Sequence, residues 1–137
     1  MSFEIINPGE LGEPRGWNNG LLAPAGGRLL FIAGQAGWEE SAPGPPDGFA
    51  DQFARALDKV LAVLLASGGH PADLARVTIY VTDLPAYRAA RKSLGDAWRA
   101  RLGKHYPASS LVAVAGLLDR GALVEIEATA VLGGRGG

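Results

Sequence analysis

From Phe49 onward the apolar residues return every three or four positions: Phe49, Phe53, Ala56, Leu57, Val60, Leu61, Leu64 and Leu65. Asp51, Arg55, Asp58 and Lys59 fall mostly between them. That period predicts an amphipathic helix with one face in a core, ended by Gly68-Gly69. The period then changes. In "ARVTIYVTDL" (75–84), Val77, Ile79 and Val81 alternate with Arg76, Thr78, Tyr80 and Thr82, which predicts a strand with one buried face. Asp83 followed by Pro85 opens a second helix. Its apolar stripe is Tyr87, Ala90, Leu94, Ala97, Trp98 and Leu102, and Gly103 ends it. One-faced helices alternating with a one-faced strand restrict the chain to helices packed on a sheet.

The flanks supply the remaining strands. "FEII" (3–6) reads as a short strand ended by Asn7-Pro8-Gly9, and residues 8–20 read as loop. "GLLAPAGGRLLFIAGQ" (20–35) has two apolar runs about Ala25-Gly26-Gly27, the pattern of a β-hairpin. "SAPGPPDG" (41–48) is a second loop. "SSLVAVAGL" (109–117) and "ALVEIEATAVL" (122–132) read as two strands joined by a tight turn at Asp119-Arg120-Gly121. The expected order is β-β-β-α-β-α-β-β: a single α+β domain over residues 1–137, with both helices on one face of a mixed sheet.

Composition narrows the function classes. The net charge is −1, so no global field draws in nucleic acid or acidic lipid. Cysteine is absent, which excludes disulfides and a thiol nucleophile and is compatible with a cytoplasmic location. No apolar run reaches the ~20 residues that span a bilayer. "MSFEIINPGE" lacks the basic and apolar regions of a signal peptide, and the tail "GGRGG" (133–137) reads as a frayed terminus. His70 and His105 do not have metal-ligand spacing, so no metal is expected. No phosphate loop, nucleophile elbow or dinucleotide fingerprint is present. Arg88, Arg91, Lys92, Arg99, Arg101 and Lys104 crowd around the second helix, and such runs are ordinarily a solvated face rather than an RNA platform.

The last strand poses the chemical question. Val124, Ile126, Ala128 and Ala130 form the face expected under the helices, which puts Glu125 and Glu127 together on the other. "SLVAVAGL" is apolar at both parities, so that second face also needs cover. An oligomer packed through its sheets is the expected outcome. Two readings of the acids stay open: interchain or solvated charges, or an acid/base at a subunit boundary, where lost solvent would favour proton transfer.

On "FIAGQAG" (31–37), "DQFARALDKVLAVLLASGGHPADLARVTIYVTDL" (51–84) and "YPASSLVAVAGLLDRGALVEIEATA" (106–130), the chain resembles the RidA/YjgF family, also called endoribonuclease L-PSP. The resemblance covers nearly the whole chain. It implies a chorismate-mutase-like fold and a homotrimer with clefts between subunits. In the deaminating branch it implies hydrolysis of amino-acid-derived enamines and imines without a cofactor. The family's cleft glutamate falls on Glu125, its N-terminal-loop aromatic on Trp17, and its Ser-Gly-Gln backbone donor on Gly34, with Ala33 in place of the serine. A looser alignment sets a second-helix asparagine at Arg91. The main departure is "PASS": the deaminating branch has a carboxylate-clamping arginine where this chain has Ser109, with Ser110 beside it. Hydrogen bonds to charged groups contribute about 1.5–3 kcal/mol each, so the change would retune the cleft away from small 2-imino acids. The resemblance therefore leaves three readings: a small-metabolite hydrolase using Glu125, a non-enzymatic binding trimer, and an imine deaminase that has replaced its arginine.

Overall fold

The computed structural model describes residues 2–133, so all of the "GGRGG" tail but its first glycine lies outside the described residues. The elements are β1 Glu4–Ile6, β2 Gly20–Leu22, β3 Arg28–Ala36, α1 Phe49–Ala66, β4 Leu74–Val81, α2 Leu84–Leu102, β5 Ala108–Ala113 and β6 Val124–Leu132. The order is the expected one. Asp83 caps α2, its Oδ1 accepting from Ala86 N–H at 3.0 Å, which satisfies a donor that the first helical turn leaves free. Past α1, Gly68 takes the left-handed backbone (φ 86°) that lets the chain turn out of the helix.

Four strands form the main sheet in the order β3-β6-β4-β5. β6 runs antiparallel to both β3 and β4, while β5 runs parallel to β4. Each parallel step is bridged by a helix on the same face, which is why α1 and α2 share one side. Under them lie Val77, Val81, Val124, Ile126 and Ala130, packed against Leu57, Val60 and Leu64, all fully buried. Among the described residues no helix is long and apolar enough to cross a membrane.

Two local pairings differ from the sequence reading. The runs on either side of Gly26 do not form a hairpin: β2 pairs with β1, and β3 pairs with β6. β3 has nine residues of backbone to satisfy, and nine-residue β6 matches them where three-residue β2 does not. Nor are β5 and β6 joined as neighbours, because β4 lies between them. The parallel crossover through α2 places β5 at the sheet edge, and residues 114–123 must pass over the end of β4 to reach β6. Buried Gln52 of α1 pins that passage, donating to Gly121 O and Asp47 O (2.9 Å each) and accepting from Leu123 N–H (2.8 Å).

Candidate functional site

The expected site residues lie in two groups. The first lines a cleft of about 470 Å³ between α2 and edge strand β5, and it contains Trp17, Arg91, Ser109 and Ser110. Trp17 comes from the loop before β2, which is stitched to the start of β5. Asn18 Nδ2 donates to Tyr106 O (2.7 Å) and Asn18 N–H to Pro107 O (3.2 Å). Asn7 supports both neighbours, donating to Asn18 Oδ1 at 2.8 Å and accepting from Asn19 N–H at 2.7 Å. Trp17 Nε1–H in turn donates to Asn19 Oδ1 at 3.3 Å, and its ring stays 42% exposed at the cleft. The asparagines of "RGWNNG" look only like loop residues in the sequence; nothing there says what they dock on.

Strand parity separates the two serines. Ser109 pairs with Val77, on the helix side of the sheet, and Ser110 pairs with Thr78, on the open side. Ser109 Oγ–H donates to Pro107 O at 3.2 Å. Ser110 Oγ accepts from Arg76 Nη2 at 2.9 Å. Arg91 makes no ion pair or hydrogen bond among the described residues and points its element's charge at the cleft.

The second group is Gly34 with Glu125, on the open face. Gly34 falls within the register shift between Ile32 and Gln35, a bulge in β3. A Cβ at Gly34 would stand 2.6 Å from Glu125 Oε2, so the carboxylate rests directly on the glycine. The two glutamates differ in partnership. Tyr80 O–H donates to Glu127, and that bond holds the phenol above the ordinary tyrosine value. Glu125 accepts no hydrogen bond among the described residues and is half-buried. Both sit on the open face, beside strongly exposed Phe31 (74%) and Leu29 (62%).

The remaining candidates are structural. His105 Nε2–H donates to Leu74 O at 2.7 Å, and its ring stacks on Phe3. His70 donates its backbone N–H to Asp73 Oδ2. The described residues contain no group of three histidines and carboxylates placed to hold a metal ion. Of the second-helix cations Arg88, Arg91, Lys92 and Arg99 are exposed, whereas Arg101 is partly buried and pairs with Asp58 at 2.6 Å, which raises its pKa.

Residues 17–132 match the protein family described as Endoribonuclease L-PSP. Among solved structures, YyfB of the conserved Rid protein family from Yersinia pestis is 32% identical, with a TM-score of 0.79 over 96% of this chain and 100% of that one. TdcF from E. coli, solved with bound serine, is 27% identical, with a TM-score of 0.65 over 83% of this chain and 92% of its own. The 2-iminobutanoate/2-iminopropanoate deaminase of Bos taurus is 29% identical over 107 residues, 77% of this chain and 74% of that protein. Two helices packed on one face of a mixed sheet are the architecture this chain shares with these structures.

Proposed function

The chain belongs to the endoribonuclease L-PSP family, and on that premise we propose that it is a Rid-type homotrimer, of the kind lacking the β5 arginine, that hydrolyses imine- or enamine-like small molecules in clefts between subunits. The observation that carries this reading is the contrast between the two glutamates. Glu127 is engaged by Tyr80, while Glu125, with no hydrogen-bond partner among the described residues, rests on the β3 bulge at Gly34. In the resemblance to the family, Glu125 holds the cleft position.

The two residue groups suit a shared site. Trp17, Arg91, Ser109 and Ser110 line the α2–β5 cleft, and Gly34 with Glu125 occupies the open face. Packing sheets together would bring the open face of one subunit against the cleft edge of the next. There Trp17 stacks on the ligand and Gly34 N–H holds it. Glu125 takes a proton from a water that adds to the imine carbon, then returns it to nitrogen. The hydroxyl proton of the resulting carbinolamine then passes to the same nitrogen through that carboxylate, the C–N bond breaks, and ammonia leaves a carbonyl product. The name of the bovine relative supports a C–N hydrolase over a nuclease, as does a net charge of −1.

One observation favours a second reading, a binding trimer without catalysis: Ser109 spends its only hydroxyl proton on Pro107 O and offers no positive charge. An imine generated by an amino-acid oxidase and followed as its semicarbazone separates the two. Accelerated imine loss, reduced about 10²-fold or more by Glu125→Gln, is the expected result. Faster turnover of small 2-imino acids by Ser109→Arg would mark the cleft as intact and retuned. Equal rates for the native chain and Glu125→Gln would remove the catalytic role.

A further inference from the structure

The cleft between α2 and β5 has a one-signed wall. Arg15, Arg91 and Arg99 line it, and no carboxylate does. Arg15 and Arg91 have no ion pair or hydrogen bond among the described residues, while Arg99 gives Nη2 to Asp96 at 2.7 Å and keeps its other donors. Strand β5 offers no cation in exchange, since Ser109 donates to Pro107 O and Ser110 accepts from Arg76.

Gly95 leaves room for a guanidinium to lie against the helix. It sits inside α2, where glycine is the least favourable residue after proline. A Cβ there would meet Arg99 Nη1 at 3.2 Å and Nη2 at 3.4 Å. The Arg99 guanidinium thus folds back over Gly95, one turn from Arg91, and α2 presents Arg91, Gly95 and Arg99 as a single i, i+4, i+8 row along the cleft. Opposite that row stand rings: Trp17 from the N-terminal loop and Tyr106 ahead of β5, with Trp98 in the wall. A volume of about 470 Å³ lies within the roughly 300–1,000 Å³ of pockets that hold drug-sized ligands, well beyond what a three-carbon acid fills.

We propose that this cleft takes a ligand bearing a carboxylate and a planar aromatic group, the carboxylate held by Arg91 and Arg99 of α2 and the ring placed between Trp17 and Tyr106. The proposal rests on the reading of the cleft as the ligand site and deepens it: the substrates are aromatic 2-imino acids. Water adds across their C=N bond, and the products are ammonia and the aromatic 2-oxo acid. Guanidinium forks suit a carboxylate, and aromatic faces suit both the ring and the cations beside it.

Calorimetric titration of the full chain with phenylpyruvate, pyruvate, phenylacetone and inorganic phosphate tests it. Phenylpyruvate is expected to bind at least tenfold tighter than pyruvate, which lacks the ring, and than phenylacetone, which lacks the carboxylate. Arg91→Gln and Arg99→Gln should each weaken phenylpyruvate at least fivefold with unchanged thermal midpoints. Gly95→Ala should raise the midpoint and still weaken binding, a combination that a purely structural role would not produce. Pyruvate binding as tightly as phenylpyruvate, indifference to both arginine substitutions, or phosphate competing as well as phenylpyruvate would overturn the proposal. The hydrolytic reading fails separately. Arginine-dependent phenylpyruvate binding without Glu125-dependent imine loss would sink catalysis and leave this ligand class standing; imine loss indifferent to Arg91 and Arg99 would do the reverse.

Discussion

Two glycines three residues apart show how much a single side chain decides. Gly34 and Gly37 both lack room for a Cβ, but against different neighbours. At Gly34 the obstacle is the far end of Glu125. At Gly37 it is the backbone and Cβ of Gln52, at 2.4 and 2.6 Å, and Gln52 is fully buried in its own hydrogen bonds. Gly34→Ala should therefore cost less than about 1 kcal/mol, because a flexible carboxylate swings aside, yet abolish whatever depends on Glu125's placement. Gly37→Ala should cost roughly 2–3 kcal/mol through overpacking, with the site affected only through stability. Urea midpoints and imine decay, measured on both variants, separate the two effects. Glu125 itself was legible in the sequence by strand parity and resemblance. Gln52 was not, since a polar residue on an amphipathic helix looks solvated until the crossing loop lands on it.

Elements were legible wherever a period ran long enough. α1, β4 and α2 follow directly from their apolar spacing, and β6 from its alternation. Pairings were not legible, because the partner of a strand depends on which backbone of matching length the helices bring beside it. The hinge between β3 and α1 illustrates what then secures an element. Glu39 receives hydrogen bonds from Lys59 (2.6 Å) and Arg55 (2.7 Å) of α1, and Lys59 also donates to Ala36 O (2.7 Å). The bond from Lys59, helped by Arg55, outweighs burial and lowers the Glu39 pKa from its ordinary 4.5. A depressed carboxyl pKa adds stability that is complete above the unfolded value and is lost as pH falls through the folded one. Glu39→Gln should thus lower stability at pH 7 by about 0.5–1 kcal/mol, the range for partly exposed pairs. The gap to the native chain should close as the pH drops below 4.5, read from denaturant midpoints across that range.

For the whole molecule, the question is what covers the face away from the helices. Leu29, Phe31 and Val112 are exposed there on the same side as Glu125 and Glu127. A patch of that kind on a sheet otherwise buried on one face is the surface a homotrimer would consume. Phe31→Glu should convert the proposed trimer to monomers in sedimentation velocity runs while leaving the helix signal in circular dichroism intact. A native chain that sediments as a monomer would defeat the shared-site reading. By itself the sequence determined the element order, the helix-facing parity of β6 and the membership of Glu125 in the opposite face, because periodicity is a local property of neighbouring residues. It took the assembled fold to set β6 between β3 and β4, to choose which of Ser109 and Ser110 faces the helices, and to bring Arg91, Arg99 and Trp17 to one cleft. Those outcomes hang on contacts between segments far apart in the chain, and no local pattern carries the identity of a distant neighbour.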